Sequence, residues 1–403
     1  MLKREKGAIN IISPFFIFIF VSLFQFFLWY FLYPKTPYLG YAHSRENDVG
    51  ALLCFLLYAI FFIFGMFIAN TRIKTHPDKR NILIYKKYYH YCIMVLLAMV
   101  WFSQWGQISG LSLKSTMTAF STLSPYNLIH KNLLSSKIPF SMAINTLKYL
   151  LYAFLAMVIC EGVSKKTKKV YGFMLLITLS IDIAITFLLG ARAELAMSIM
   201  VIFVFFARDG ISSKKAIGAI LILASIFWTM DYYKTGIPYE RIIQGERNIW
   251  ETNRFMVTQF VEKYIPGEFN QSLILMKEKS RFPFSIMYAT PFKIAGYSEP
   301  PGTPFLNTLH SFAYWEWEFG VFGLIVAFFF GYLVNKSYIY FNCISGITTK
   351  RLYYPICFIA LVHMVRFNSF LSLPFLIPIT TILIIRVVEK MLWVAKVAIV
   401  GKE

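Results

Sequence analysis

The sequence has few of the residues that soluble enzymes use for redox, metal or nucleotide chemistry. It contains only five cysteines in 403 residues. None of them forms a CxxC pair, so we expect neither a disulfide framework nor a metal site. The sequence also has no GxxxxGKS phosphate loop, which argues against an ATP-driven pump. If the protein catalyses a reaction, the energy must therefore come from the substrate, and no cofactor is expected.

Apolar residues are abundant, and they fix the class of protein. They make up 58% of the chain, and 18% of all residues are aromatic. Their runs repeatedly reach the roughly 20 residues that a helix needs to cross a bilayer. The sequence therefore predicts an all-α polytopic membrane protein with about ten transmembrane helices. The first runs from Ile11 to Tyr33, and the others lie near 49–69, 88–106, 141–160, 170–189, 193–208, 214–231, 306–334, 352–368 and 371–393.

Basic residues predict the orientation of these helices. The chain carries 40 Lys and Arg against 20 Asp and Glu, a net charge of +20. The basic residues gather in alternate connections, such as 70–87 and 165–169, which indicates that those connections and both termini are cytoplasmic. This charge meets anionic lipid headgroups, so no nucleic-acid partner is needed to explain it. The chain then divides into helices 1–7 (residues 1–230), one large extracytoplasmic loop (231–305) and helices 8–10 (306–403).

An outer turn, FLLGARAEL, places Arg192 between the fifth and sixth predicted helices. Arg192 either extends to lipid phosphates while Glu194 caps the following helix, or it binds a substrate anion. Asp182 precedes this turn by about two helical turns, and we expect it to pair with a cation inside the bundle.

The large loop carries further arginines. Arg247 and Arg254 lie seven residues apart on one face of a predicted amphipathic helix, and Arg241 precedes them. This helix is predicted to end at Pro266 and Gly267. The charges form either a solvated face with ordinary salt bridges or part of an anion site.

A third group lies in LNTLHSFAYWEWEFGVFG, where a long apolar run begins. His310, Glu316 and Glu318 are candidate catalytic residues, because ionisable groups at membrane depth usually face a protein interior or a wet cavity. A histidine suits proton transfer or contact with a phosphate, and a carboxylate suits proton abstraction from a hydroxyl. The alternative is an interfacial aromatic belt with exposed carboxylates. Arg366, before the last predicted helix, is either a membrane anchor or another cation of the same cavity.

These patterns together indicate a substrate with a diphosphate at the outer surface of a membrane. Arginine side chains match diphosphate oxygens in a bidentate manner. Amphipathic aromatic surfaces suit both sugar rings and the boundary between an isoprenoid chain and water.

In FLLGARAEL and in LNTLHSFAYWEWEFGVFGLIVAFFFG, separated by the large loop, the chain resembles the oligosaccharide repeat unit polymerases, or O-antigen polymerases of the Wzy type. The likeness spans roughly residues 170–370. It implies a GT-C-like architecture in the bacterial cytoplasmic membrane and metal-independent glycosyl transfer at the outer face, between oligosaccharides linked to undecaprenyl diphosphate. Arg192, Arg241, Arg247, Arg254 and Arg366 would then bind the diphosphate. A flippase and a co-polymerase that regulates chain length are implied partners.

Three other functions share some of these features. An O-antigen ligase would perform the same chemistry with lipid A core as acceptor. A flippase or transporter would also use outer arginines, but it should show ionisable residues across the whole membrane. An acyltransferase would need a histidine–acid motif, and the spacing around His310, the one close candidate, does not indicate such a motif.

The predicted orientation can be tested with single cysteines introduced at Lys166 and at Asn248 in a variant whose five native cysteines are replaced by serine. A membrane-impermeant maleimide applied to intact cells should label the cysteine at 248 and leave the one at 166 unlabelled until the membrane is opened. Labelling of position 166 from outside would reverse the topology.

Overall fold

We describe the protein from a computed structural model, which describes residues 12–33, 45–71, 85–108, 144–161, 164–189, 192–208, 265–277, 310–344, 346–365 and 369–400, together with 218 and 225. The residues in these ranges form helices and short connections, and none of them lies in a β-strand. The helical class predicted from the sequence is therefore confirmed for this part of the chain.

Eleven α-helices have defined bounds within these ranges. In chain order they are α1 Pro14–Leu32, α2 Val49–Thr71, α3 Tyr85–Ile108, α4 Leu147–Glu161, α5 Lys165–Leu189, α6 Arg192–Phe206, α7 Ile265–Lys277, α8 Ser311–Phe319, α9 Gly323–Cys343, α10 Tyr353–His363 and α11 Leu373–Val400.

Four stretches of helix are long and apolar enough to cross a membrane. They are Pro14–Leu32, Val49–Asn70, Lys165–Thr186 and Ser311–Cys343. These stretches agree with predicted spans and indicate a membrane-embedded protein. The total of ten spans, the cytoplasmic termini and the three-part division of the chain stay predictions, and the predicted span at 214–231 lies almost wholly outside the described residues.

The large loop contributes a helix where the sequence predicted a helix end. Helix α7 begins at Ile265, directly before Pro266 and Gly267. Proline is favoured in the first turn of a helix. Backbone N–H groups there have no intrahelical acceptor, so the N–H that proline lacks costs the helix no hydrogen bond. The same residue pair that would end one helix therefore starts another. Most of α7 is buried, so this part of the loop belongs to the protein core.

The two glycines of GVFG explain why the long apolar run is two helices. Gly320 ends α8 with φ of +55°, a conformation that side chains disfavour, and a single 3₁₀ turn, Gly320–Phe322, leads into α9. At Gly323, a Cβ atom would collide with the hydroxyl of Tyr58 and the backbone oxygen of Trp315. The motif therefore has a structural role in turning the chain between α8 and α9.

The chain divides into two compact units, each with its own core. The first contains Met1–Lys74, Asp231–Ile339 and Cys357–Ser372, and the second contains Thr75–Met230, Tyr340–Ile356 and Leu373–Glu403. In the second unit α4 is central, because it contacts α3, α5, α6 and α11 and is buried from Leu147 to Val158.

In the first unit, α2 and α9 cross at two glycines. A Cβ atom at Gly65 would collide with the backbone oxygen of Phe328, and one at Gly331 would collide with that of Phe62. Small residues allow helices to approach this closely in a membrane. Asn335 continues the interface by donating a hydrogen bond from its side-chain nitrogen to the carbonyl of Met66, at 2.7 Å.

The crossing predicts that Gly331→Ala destabilises the protein. The methyl group would force apart two backbones in contact, at a cost of about 1–3 kcal/mol. We expect a lower midpoint of thermal unfolding in detergent. Size-exclusion chromatography of heated samples measures this midpoint. Gly172→Ala is the matched control, since nothing lies within 4 Å of a Cβ atom there. Equal midpoints for the two variants would contradict the tight crossing.

Candidate functional site

His310 is a buried cap at the start of α8. Its side chain has no exposed surface, and its ring packs edge to face against Phe55 with centroids 4.8 Å apart. Nδ1 accepts a hydrogen bond from the backbone N–H of Phe312 at 3.1 Å. The proton of the neutral ring is then on Nε2. In the part of the chain that the structure describes, Nε2 has no hydrogen-bond partner.

Two consecutive backbone groups fix the start of α8. The N–H of His310 donates to the hydroxyl of Ser272 on α7 at 2.8 Å, and the N–H of Ser311 donates to the carbonyl of Met364 at 2.6 Å. Met364 follows α10 directly. A segment of the predicted outer loop and the end of another helix therefore hold the same two residues of the chain.

Glu316 and Glu318 lie in different environments on α8. The carboxylate of Glu316 is partly exposed, and its Oε2 accepts a hydrogen bond from the hydroxyl of Tyr58 at 2.8 Å. Tyr58 also lies within hydrogen-bond distance of the carbonyl of Gly320, at 2.8 Å. Glu318 is buried. The predicted exposed belt therefore fits Glu316 in part and does not fit Glu318.

Helix α7 presents buried polar side chains to its neighbours. Oδ1 of Asn270 accepts hydrogen bonds from Nε1 of Trp29 at 3.0 Å and from the backbone N–H of Glu46 at 2.7 Å. A glutamate, a glutamine and a serine are also buried in α7, namely Glu268, Gln271 and Ser272. Asn270 thus binds α7 to the end of α1 and to the segment before α2. These buried polar residues of α7 were not predicted from the sequence.

The structure describes little of the predicted arginine site. Arg192 is the first residue of α6, as its place after the predicted turn requires, but its side chain lies outside the described part. Arg241, Arg247, Arg254 and Arg366 also lie outside it. Their assignment to a diphosphate stays a prediction.

A buried ion cluster lies near the start of α6. Nζ of Lys148 lies 2.9 Å from Oδ1 of Asp182 and 2.8 Å from Oε2 of Glu194, and the other oxygen of Asp182 accepts from Ser198 at 2.8 Å. Lys148 and Asp182 are almost completely buried. The expectation that Asp182 pairs with a cation is confirmed. Lys148 was not predicted to be this cation, although a lysine in the apolar run LKYLLYAFLAM was the available signal.

A second cluster joins the ends of α4 and α6. Oε1 of Glu161 accepts from Arg351 at 2.7 Å and from Arg208 at 2.5 Å, while Oε2 accepts from the N–H of Gly346 at 3.2 Å. Burial opposes ionisation of Glu161, but the charges and hydrogen bonds of Arg351 and Arg208 outweigh it and hold the pKa of Glu161 below its usual value. This cluster fixes the connection after α9.

Comparison with protein families, with curated proteins and with solved structures finds no match. Within the described ranges, no group of three or more His, Cys, Asp or Glu residues could hold a metal ion. The histidine and the carboxylates at α8 are groups that suit proton transfer and contact with an anion.

The cluster of Lys148 predicts a strong effect of one substitution. Lys148→Met should lower the thermal midpoint markedly, because removing one partner of a buried ion pair costs about 3–5 kcal/mol. Lys148→Met combined with Asp182→Asn should recover part of this loss, since no unpaired charge then remains at Asp182.

Lys165→Met is the control, because Lys165 is exposed. Thermal unfolding of the four proteins in one detergent measures the effect. If the double variant were as unstable as Lys148→Met, the lysine would act through packing and not through its charge.

Proposed function

We propose that this protein polymerises oligosaccharide repeat units linked to undecaprenyl diphosphate at the outer face of the bacterial cytoplasmic membrane. One observation carries the proposal. Helix α8 presents a buried histidine and two carboxylates at the start of a candidate membrane span, and α7 from the large loop holds the beginning of α8. Such residues at that depth are expected where a protein handles a charged group beside lipid.

The reaction requires a base, and Glu316 suits this role best. The acceptor hydroxyl attacks the reducing-end carbon of the donor chain, a new glycosidic C–O bond forms, and the bond to the diphosphate breaks. The hydroxyl proton must pass to a base. Glu316 is partly exposed, and the hydroxyl of Tyr58 donates to one of its oxygens and so orients the carboxylate. Glu318 is buried, so an acceptor would reach it less easily.

His310 is unsuited to proton abstraction, and since its ring is fully buried in this structure, its contact with the diphosphate would require the start of α8 to open. Because Nδ1 already accepts from the N–H of Phe312, Nε2 carries the proton and can only donate. A donor aimed at the leaving diphosphate stabilises the negative charge that develops there. Arg192, Arg241, Arg247, Arg254 and Arg366 would share this task.

The proposal predicts that Glu316→Gln abolishes polymer formation. Loss of a general base typically lowers a rate about 10²–10⁴-fold. In a host whose own gene is deleted, the wild-type protein should restore a ladder of surface polysaccharide on a gel. Glu316→Gln should leave single repeat units on the final anchor.

Asp48→Asn is the matched control. Asp48 caps the start of α2 by accepting from the N–H of Ala51, and an asparagine can form the same bond. This variant should restore the ladder at equal membrane abundance. A full ladder from Glu316→Gln would remove Glu316 from the mechanism.

The glycans that accumulate in the deletion strain distinguish the rival functions. Polymer accumulating on undecaprenyl diphosphate would identify a ligase, and single repeats confined to the inner leaflet would identify a flippase. Either result would contradict polymerisation.

A further inference from the structure

The hydroxyl group of Tyr58 lies between two acceptor oxygens at the end of α8. Its oxygen is 2.8 Å from Oε2 of Glu316 and 2.8 Å from the backbone carbonyl oxygen of Gly320. Tyr58 lies on α2 and is only 1% exposed, so bulk water does not reach it as a further partner. Because a phenol carries a single proton, it cannot donate a full hydrogen bond to both oxygens at once.

The protonation state of Glu316 decides where the phenol proton lies. When the carboxylate is ionised, the phenol donates to it, because a hydrogen bond to a charged acceptor is the stronger one. When Glu316 carries a proton on Oε2, it donates that proton to the phenol oxygen, and the phenol donates to the carbonyl of Gly320. Both contacts of 2.8 Å are then full hydrogen bonds. Glu316 and Tyr58 are therefore hydrogen-bonded in either state, and only hydrogen atoms move between the two.

The backbone after Glu316 fixes these three oxygens. The N–H of Gly320 donates to the backbone carbonyl of Glu316, so both acceptors of the phenol belong to one turn of the chain. The phenol is also packed tightly, since a Cβ atom at Gly323 would lie 2.2 Å from its oxygen. The glycines of GVFG thus leave room for the hydroxyl of Tyr58 and present a carbonyl to it.

A second group of α2 reaches the same carboxylate. Cys54 lies one helical turn before Tyr58, and its thiol hydrogen-bonds Glu316. A thiol is a weak donor, so the phenol is the stronger of these two partners of Glu316.

We propose that Tyr58 is a positioning residue that holds Glu316 by a hydrogen bond both before and after the carboxylate takes the proton of the acceptor hydroxyl. This role rests on the proposed function. As the glycosidic C–O bond forms, the hydroxyl proton passes to Glu316, and the diphosphate leaves with the electron pair of the broken bond. The proton of Tyr58 turns from Glu316 to the carbonyl of Gly320 in the same step. Because these donors and acceptors are already in place, the reaction requires no reorganisation of them.

Removal of the hydroxyl alone tests this role. The purified full chain in phosphatidylcholine nanodiscs is supplied with lipid-linked repeat units extracted from the deletion strain, and initial rates of chain extension are measured over a range of concentrations. Tyr58→Phe should lower kcat about tenfold, the effect expected for one hydrogen bond to a charged group. KM should change by less than about twofold, because the lost bond acts in the transition state and not in substrate binding.

Two further variants separate this role from a structural one. Tyr88→Phe removes a phenol that donates to the carbonyl of Ile385 at 3.3 Å, and it should react as the wild type does. A variant with 4-aminophenylalanine at position 58 should recover most of the rate lost in Tyr58→Phe, because its amine has one N–H for each of the two oxygens. If Tyr58→Phe does not fold, the aminophenylalanine variant decides alone: the kcat of the wild type supports the role, and a tenfold lower kcat contradicts it.

The role of Tyr58 is contradicted if folded Tyr58→Phe has the kcat of the wild type or loses rate through KM alone. A lower thermal midpoint with an unchanged kcat would identify a purely structural hydrogen bond. Failure of the proposed function gives a different result. A wild-type protein that extends no chains refutes the polymerase, and with it the role of Tyr58 in that reaction, whatever the variants do.

Discussion

A buried polar group in a membrane protein must find its partner within the protein, because the hydrocarbon layer supplies no water. This constraint accounts for the helices and for the polar contacts between them. Lys148 is buried at the centre of the second unit, and two carboxylates surround its ammonium group. Glu161 likewise binds two arginines and a backbone N–H. In each cluster the charges join residues from separate segments of the chain, so we expect them to specify register as well as to contribute energy.

In the first unit, close backbone contacts and neutral polar groups join the helices. Gly65 and Gly331 allow α2 and α9 to touch, and the polar side chains of α7 accept the N–H groups of other segments. This close packing positions α8. His310 is the N-cap of α8, whereas the side chain of Glu316 is partly exposed. The proposed division of roles, with His310 donating to a phosphate and Glu316 accepting a proton, follows from these different surroundings.

The sequence predicted the features that depend on local composition. Helical class, several apolar spans and the need of Asp182 for a cation all follow from hydropathy and from the cost of an unpaired charge. The identity of that cation could not be predicted, because Lys148 meets Asp182 only through packing of α4 against α5. Pro266 and Gly267 were ambiguous for another reason: the pair is compatible with the end of one helix and with the start of the next. The capping of α8 by His310 likewise depends on backbone geometry that spacing does not encode.

The polar contacts of α7 also bear on how the chain is made. Asn270 accepts from Trp29 and from Glu46, which precede it by 241 and 224 residues. During synthesis, α1 and α2 therefore enter the membrane long before their acceptor exists. Until α7 emerges and docks, the indole of Trp29 and the N–H of Glu46 must bond to water, to lipid headgroups or to an insertion factor. Completion of the first unit is thus a late event in biogenesis. In a nascent chain truncated before α7, the indole of Trp29 and the N–H of Glu46 would lack their acceptor, Asn270.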